Sequence, residues 1–223
     1  MRPQWLGTSL RDAFISQPEA DSFLHGRKPG GFGGKRQVNL GGRLFNIETL
    51  YTQRLTLRAF TEADAEDIFA WVSDERVTMF LGWQPHESIE ETRQVLAEWI
   101  SVHTDEDSFS WAIEFGGRVI GRIQTDYVSG RHRRCEVGYY IGHDYWNMGL
   151  MTEALRRVLD YFFTQENFNR VEAIFEPDNP ASGRVMQKCG MKYEGTLRQF
   201  FLCRDGSYTD GLLCAILKEE FNI

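Results

Sequence analysis

The hydrophobic and polar positions of the chain follow two repeats from about residue 49 onward. Seven segments alternate apolar and polar side chains or form short apolar runs, which is typical of β-strands. These segments are residues 54–58, 109–115, 119–127, 135–141, 171–175, 192–202 and 208–217. Gly116 and Gly117 separate the second segment from the third, and such a pair predicts a tight hairpin turn.

Four other segments carry apolar residues three and four positions apart and begin with helix signals. Thr61–Asp64 and Ser88–Glu91 have the capping-box pattern, the third helix begins near Gly149, and the fourth opens on residues 178–180 with cap residues and a proline. The first of these helices is expected to end near Val72. The positions expected to face the core in the other three are Val95, Leu96, Trp99, Ile100, Leu155, Val158, Leu159, Phe162, Ala181, Val185, Met186 and Cys189.

The elements follow the order β, α, α, β, β, β, α, β, α, β, β, which predicts one domain over residues 47–223. Residues 1–46 differ, because seven of the 21 glycines lie between residues 26 and 42. Such a stretch loses too much backbone entropy to form a regular element, so we interpret residues 1–46 as a glycine-rich, partly flexible N-terminal extension. A phosphate-binding loop does not fit there, since Pro29 and Arg36 occupy the places of its first glycine and its Ser/Thr.

Charge and composition exclude several classes of protein. The 223 residues carry a net charge of −7, which argues against nucleic-acid binding through a broad basic surface. The chain has no apolar run of membrane-spanning length and no signal-peptide pattern, so we expect a cytoplasmic protein without membrane contact. The four cysteines form no Cys-x-x-Cys pair and the five histidines show no metal-ligand spacing, which predicts reduced packing thiols and no metal site.

The negative charge is concentrated in residues 61–107, which hold thirteen acidic and two basic residues. Two interpretations stay open. The acidic side chains form a solvated helix face, or they form a lip that attracts a cationic partner.

Two segments combine a helix start with candidate ligand-binding groups. Residues 136–154 run from a strand through a loop with Gly149 into a helix N-terminus, where unpaired amides and the helix dipole attract anions. Residues 176–191 begin with Asn179, which either caps its helix or binds a ligand, and place Ser182 in the first turn. Each pattern alone is unspecific.

In this order, the two segments resemble the GNAT superfamily of N-acetyltransferases, in the branch of the RimJ- and RimL-type ribosomal-protein N-terminal acetyltransferases. The resemblance spans roughly residues 50–221. The motifs that carry it are Arg54-Leu-Thr-Leu-Arg58, Glu136-Val-Gly-Tyr139, Gly149-Leu-Met-Thr-Glu-Ala154, Asn179-Pro-Ala-Ser182 and Lys188-Cys-Gly-Met191. It implies an α+β GNAT fold whose central, mixed and mostly antiparallel sheet has six to seven strands, is splayed at the cofactor site and is flanked by about four helices.

The resemblance also implies acetyl-CoA as co-substrate, no metal, and direct acetyl transfer to a primary amine by a monomer or homodimer. It assigns the strand end to the pantetheine arm, the loop and helix N-terminus to the pyrophosphate, and the second helix start to the cofactor amide and sulfur. The residues assigned to the cofactor are Tyr139, Tyr140, Ile141, Asn147, Met148, Gly149, Leu150, Met151, Thr152, Asn179 and Ser182.

Three features depart from the superfamily pattern. Trp146 and Met151 stand at the two ends of the phosphate loop, and Asn147-Met148 replaces the common Gly-Lys, which removes one positive charge. Met186 stands where many relatives have a tyrosine acid, so Ser182 becomes the candidate proton donor. Phe201 stands where some members of the branch have a glutamate base.

Alternation along its strand places Glu136 on the same face as Gly138, which makes Glu136 the candidate general base; a structural glutamate paired with an arginine is the alternative. Trp83 and Tyr127 are the candidate acceptor contacts, with a plug under a loop as the alternative for Trp83. The acceptor is a protein N-terminal α-amine, or a small amine such as a polyamine, amino acid, amino sugar or drug. A third interpretation is a CoA-binding protein without turnover.

Overall fold

An eight-stranded sheet runs through the part of the chain that the computed structural model describes, residues 47–102 and 108–221. The strands are β1 (Leu50–Tyr51), β2 (Leu55–Arg58), β3 (Ser110–Phe115), β4 (Arg118–Ser129), β5 (Arg134–Ile141), β6 (Arg170–Phe175), β7 (Lys192–Leu202) and β8 (Tyr208–Leu217). They lie in the order β1-β2-β3-β4-β5-β6-β8-β7, and each neighbouring pair is antiparallel except β5 with β6.

Five α-helices accompany the sheet in these residues: α1 (Ala65–Val72), α2 (Glu75–Thr78), α3 (Ile89–Val102), α4 (Leu150–Thr164) and α5 (Pro180–Lys188). Short 3-10 helices cover Glu62–Asp64, His143–Tyr145 and Lys218–Glu220. The interpretation of residues 1–46 as an extension concerns a segment outside the described residues and stays a prediction, as does the domain boundary at residue 47.

The predicted α+β fold with a mixed, mostly antiparallel sheet is confirmed, but the predicted numbers of strands and helices were too low. The sheet has eight strands rather than six to seven, because Leu50–Tyr51 pairs with Leu57 and Thr56 as a two-residue edge strand. The additional helix is α2, which is four residues long. Neither element is long enough to show a hydrophobic repeat.

The helix starts follow the predicted caps. The Asp64 carboxylate accepts from the Thr61 amide at 2.7 Å, and the first turn there is a 3-10 turn that leads into α1. At α3, Ser88 Oγ accepts from the Glu91 amide at 3.2 Å, while the Glu91 carboxylate accepts from the Glu87 amide rather than from Ser88. Gly116 and Gly117 both have positive φ angles, as the predicted hairpin turn requires.

The sheet carries one hydrophobic cluster on each face. On one face, α4 packs its buried residues Leu155, Val158, Leu159 and Phe162 against Trp111, Ile113 and Val171, together with β1, β2 and β5. On the other face, α1 and α3 pack Ile68, Trp71, Leu96 and Trp99 against Ala112 and Val119. We call these faces the α4 face and the α1/α3 face.

One predicted core position in α5 is wrong. Ala181 is exposed, whereas Met186 and Cys189 are buried. A Cβ atom at Gly183 would lie only 2.5 Å from the Phe175 ring, so Gly183 marks the closest approach of α5 to β6. Two residues before Gly183, at 100° per residue, Ala181 points to the opposite side of the helix.

The first strand motif is fixed to α1 by ion pairs. Arg58 donates two hydrogen bonds to Asp64, at 2.8 and 2.9 Å, and one to Glu114 at 2.6 Å. Asp64 is buried and Arg58 is largely shielded from solvent. Burial raises the pKa of Asp64, but the hydrogen bonds from Arg58 and Thr61 outweigh it and hold this pKa below its usual value.

Candidate active site

The sheet opens where β5 and β6 separate. These parallel strands pair only at Arg134 with Arg170, Cys135 with Val171, and Glu136 with Glu172. Within the described residues, the backbone of Val137–Ile141 beyond Glu136 has no partner strand on the β6 side. This is the splay that the family resemblance implies, and backbone groups left without a strand partner suit the amide groups of a pantetheine arm.

The backbone turns sharply between β5 and α4. Asn147 and Gly149 have φ angles of 60° and 76°, and the indole of Trp146 donates to the Ile141 carbonyl at 2.9 Å. The side chains of Leu150 and Met151 are buried, so only their backbone amides face the loop. The amides at the start of α4 have no partner within the helix, and a pyrophosphate fits this arrangement.

The start of α5 meets β5 on the α4 face. Asn179 Oδ1 accepts from the Ser182 amide at 3.2 Å, so Asn179 caps the helix as predicted. The Ser182 hydroxyl donates to Tyr139 Oη at 3.1 Å, and the Tyr139 hydroxyl donates to the Ser182 carbonyl at 3.0 Å. Burial raises the pKa of Tyr139, which keeps its proton in place. The structure thus joins Tyr139, Asn179 and Ser182.

Glu136 stands at the last paired position before the splay, on the α1/α3 face with Gly138 and Tyr140. The neighbouring arginines do not bind it: Arg134 and Arg170 both donate to Glu172, at 2.9 and 2.8 Å. Among the described residues, Glu136 has neither an ion pair nor a hydrogen bond. No arginine among the described residues forms an ion pair with Glu136, although the charge of Arg134 acts on its carboxylate.

The surroundings of Glu136 favour its protonated form. Burial, and then the negative charges of Asp126 and Glu172, raise the pKa of Glu136 to about 7, although Arg134 opposes them. This pKa is close to the value that suits a general base at neutral pH.

Asp126 is a site residue that sequence reasoning missed. The register of β4 against β5 shifts between Thr125 and Tyr127, and this bulge turns Asp126 toward the same face as Glu136. A Cβ atom at Gly138 would lie 2.2 Å from Asp126 Oδ2, so the carboxylate occupies the space that Gly138 leaves open. Surrounding protein raises the pKa of Asp126 despite a hydrogen bond from Gln124 at 2.7 Å. The alternation of apolar and polar residues along β4 does not indicate that Asp126 faces Glu136.

Replacing Asp126 with asparagine removes a negative charge beside Glu136 and is expected to lower the pKa of Glu136. With Glu136 as the candidate general base, its carboxylate then stays ionised at lower pH, so the acid limb of kcat/KM is expected to move below its wild-type midpoint. Burial and Glu172 remain, so the midpoint stays above the ordinary glutamate value. A pH profile of kcat/KM measures the shift. An unchanged midpoint would show that Asp126 does not act on the titrating group.

The predicted acceptor contacts lie on the same face as Glu136. Tyr127 is 48 % exposed and stands opposite Glu136 in the strand register, with the Arg134 guanidinium 5.3 Å from its ring centroid. Trp83 is half-buried and packs edge-on to Tyr140, with the ring centroids 6.3 Å apart. Its packing agrees with a plug under the loop, and its remaining exposure leaves a contact surface.

Arg204 in the β7–β8 turn holds the segment that carries Trp83. Its guanidinium donates to the Thr78 carbonyl and, at 2.9 Å, to the Trp83 carbonyl. The hairpin turn is therefore fixed against the connection between α2 and α3. Large exposed apolar side chains flank this contact, and we call them the apolar rim: Met79, Leu202 and Tyr208.

Much of the acidic segment is used within the fold. Asp64 binds Arg58, Asp67 accepts from the Val119 amide, and Asp74 caps α2 and binds Arg76. Of the remaining carboxylates, Glu91 caps α3 and Glu66 pairs with Arg93 on the surface. These contacts give five of the thirteen acidic residues a partner within the fold, while Asp105, Glu106 and Asp107 lie outside the described residues.

The described residues, 47–102 and 108–221, contain neither a cluster of metal-binding side chains nor a membrane-spanning helix. Within them, no group of three or more His, Cys, Asp or Glu side chains is arranged to hold a metal ion. No helix there has both the length and the apolar character needed to cross a bilayer. Burial raises the pKa values of the thiols of Cys135, Cys189 and Cys214, which keeps them protonated.

Comparisons with known proteins agree with this geometry. The chain is 34 % identical over 171 residues to the uncharacterized N-acetyltransferase YoaA of Bacillus subtilis (strain 168), covering 76 % of this chain and 96 % of YoaA. It is 24 % identical over 151 residues to spermidine N(1)-acetyltransferase of Escherichia coli (strain K12), covering 66 % and 78 % of the two chains. A RimL ribosomal L7/L12 α-N-protein acetyltransferase solved with coenzyme A superposes with a TM-score of 0.70 at 21 % identity, covering 76 % and 98 %.

A family model extends the match across most of the domain and includes the cleft, the loop and the start of α5. It is the acetyltransferase (GNAT) domain, and it matches residues 54–192. The protein is thus an N-acetyltransferase with acetyl-CoA as its acetyl donor, and the chain belongs to the GNAT acetyltransferase family.

Proposed function

We propose that the enzyme acetylates the N-terminal α-amine of a protein. The observation that carries this proposal is the position of Glu136, which has no partner among the described residues and stands at the mouth of the splay on the α1/α3 face. Acetyl-CoA supplies an acetyl thioester. The residues around the cleft hold the donor in place, and Glu136 takes a proton from the incoming amine.

The pKa of Glu136 fits an α-amine better than a lysine or a polyamine. An α-amine has a pKa of about 7.8, so proton transfer to a carboxylate with a pKa of about 7 is uphill by about 1 kcal/mol. The same transfer from an alkylammonium group with a pKa near 10.4 is uphill by about 4.6 kcal/mol. A base with this pKa is therefore well matched only to the weaker amine.

On the other side of the splay, Ser182 is the proposed proton donor to the departing sulfur, and the second proton that leaves the amine nitrogen restores the Ser182 hydroxyl. Its hydroxyl is held by Tyr139, on the face opposite to Glu136. A base on one face and an acid on the other suit a direct transfer, in which the amine and the thioester meet between them. Thiols kept protonated by burial do not favour a covalent enzyme intermediate.

For the cofactor residues we propose the roles that the resemblance to the family implies. The pantetheine arm is assigned to backbone groups of Tyr139, Tyr140 and Ile141 that face the splay, although the Ile141 carbonyl also accepts from the Trp146 indole. The pyrophosphate is assigned to the amides of Asn147, Met148, Gly149, Leu150, Met151 and Thr152. Asn179 contributes at the amide region, although its Oδ1 also caps α5.

The apolar rim favours a polypeptide as the acceptor. Met79, Leu202 and Tyr208 are 56 %, 59 % and 61 % exposed and lie on segments that Arg204 ties together, and a contiguous exposed apolar patch commonly marks a protein-binding surface. A small hydrophilic amine has no large apolar groups to pack against these side chains.

The substrate class is tested by release of CoA thiol from acetyl-CoA with three matched acceptors. These are a peptide with a free N-terminus and no lysine, the same sequence with an acetylated N-terminus and one lysine, and spermidine. We expect turnover with the first peptide only. Turnover confined to spermidine would assign the enzyme to the small-amine class instead, as in the spermidine acetyltransferase relative.

Replacing Leu202 and Tyr208 with serine is expected to raise the KM of a ten-residue peptide about fivefold, since each side chain loses a partial apolar contact. The KM of a dipeptide amide is expected to stay unchanged, because it does not reach the rim. Tyr193→Ser is the matched control, since Tyr193 is also exposed on β7 but stands at its opposite end. Equal KM values for the long peptide in all three proteins would contradict a role of the rim.

A further inference from the structure

Arg54 contacts the loop between β5 and α4 from the start of β2. Its Nε and Nη2 both lie 2.7 Å from Glu153 Oε2, and its Nη1 donates to the Met148 carbonyl at 3.1 Å. Because β2 and β5 run in opposite directions in the sheet, the start of β2 lies at the edge where β5 ends. Arg54 thus reaches the loop from a strand that lies more than ninety positions earlier in the sequence.

Glu153 in the first turn of α4 anchors this arginine from several directions. Its Oε1 accepts from Thr52 Oγ1 at 2.6 Å and from the Arg54 amide at 2.9 Å, while Oε2 accepts from the guanidinium. These hydrogen bonds lower the pKa of Glu153 although burial opposes them, so the carboxylate is ionised at neutral pH. Arg54 and Glu153 are held in one geometry.

The contact with Met148 falls between two residues of unusual conformation. Asn147 and Gly149 both have positive φ angles, and such a conformation persists only when its surroundings fix it. In a planar trans peptide, the carbonyl and the following N–H point in opposite directions. When Arg54 holds the Met148 carbonyl, the Gly149 amide must therefore point away from Arg54, on the other side of the peptide.

We propose that Arg54 and Glu153 are positioning residues that turn the Met148–Gly149 peptide so that its N–H faces the pyrophosphate of the acetyl donor. An oriented backbone dipole at this point takes the place of the lysine that the loop lacks. The inference rests on the assignment of the pyrophosphate to residues 147–152, which it makes more specific. It does not depend on the acceptor.

The test is calorimetric binding of CoA and of pantetheine, which lacks the phosphates, to the full-length protein. Wild type is expected to prefer CoA. Arg54→Ala and Glu153→Ala are each expected to weaken CoA binding about tenfold, with pantetheine affinity unchanged within twofold. The double variant is expected to lose no more than either single variant, because both residues act through the same peptide. Arg157→Ala, which removes a half-buried arginine that pairs with Asp160 on the same helix, is the control and keeps wild-type affinity.

Four outcomes would overturn the proposal. If Glu153→Ala binds CoA more tightly, Arg54 acts as a direct charge on the phosphates, since removing a carboxylate then helps the anion. If both variants keep wild-type CoA affinity, the Met148–Gly149 peptide bond keeps its orientation without the side chains of Arg54 and Glu153. If they lose pantetheine affinity equally, the change has damaged the cleft as a whole. If wild type itself does not distinguish CoA from pantetheine, the assignment of the pyrophosphate to this loop is wrong.

Discussion

Replacing Glu136 with glutamine is expected to lower kcat at pH 7 on the order of 10²-fold, the usual contribution of a general base. The side chain keeps its size but no longer accepts a proton. The rate is then limited to acceptor molecules that are already neutral, so its pH dependence follows the amine instead of Glu136. For an α-amine, the midpoint moves from about 7 to about 7.8, whereas for a lysine or polyamine it moves above 10.

This variant tests the base and the acceptor class together, and steady-state rates from pH 5.5 to 9 with the free-N-terminus peptide provide the measurement. Binding of acetyl-CoA is expected to stay at the wild-type level, since the change leaves the loop and α5 untouched. Glu219→Gln, at an exposed position near the end of the described chain, is the control and keeps both kcat and the midpoint. A wild-type profile in Glu136→Gln would remove Glu136 from the mechanism.

Replacing Arg58 with glutamine is expected to destabilise the fold by about 2–3 kcal/mol. Removing one partner of a buried ion pair costs about 3–5 kcal/mol, and we reduce this because the Arg58 side chain is 25 % exposed. The buried Asp64 carboxylate then has no cation, and α1 loses its tie to β2. For a domain of this size, the midpoint of thermal unfolding falls by about 5–10 °C.

The pH dependence gives this prediction a second readout. The pKa of Asp64 is lowered in the folded state, so its contribution is present above the unfolded value of about 3.9 and is lost as the pH falls through the folded value. The stability difference between wild type and Arg58→Gln is therefore expected to shrink in acid. Arg118→Gln, which affects an exposed pair with Asp67, is the matched control and changes stability by less than about 1 kcal/mol. A difference that persists at low pH would contradict the role given to Asp64.

The long elements of the fold were predictable because each carries a local signal. The Ser88 cap, the Asn179 cap with Pro180 and the paired glycines at 116 and 117 all stand where sequence placed them. The splay and the cofactor were implied only by the resemblance to the family, which the order of the two segments carries.

The missed features depend on contacts that no local pattern encodes. Asp126 faces Glu136 only because a bulge interrupts the alternation of β4, and a bulge cannot be located from period two. The link between Arg54 and Glu153 joins residues ninety-nine positions apart, so neither residue alone predicts it. The prediction that Ala181 faces the core was wrong for a related reason. The packing of Phe175 against Gly183 decides which side of α5 faces inward.

The short pairing of β5 with β6 has a mechanical consequence. Three residue pairs join strands β1–β5 to strands β6–β8 within the sheet, and side chains of the α4 face, the Arg134–Glu172 ion pair and the contacts of Arg204 add to this connection. A donor lying in this gap adds hydrogen bonds along the seam and stiffens the junction between the two halves. Slower amide hydrogen exchange is then expected in Val137–Ile141 when the donor alone is bound, so that loading the donor makes the enzyme a more rigid body before the amine arrives.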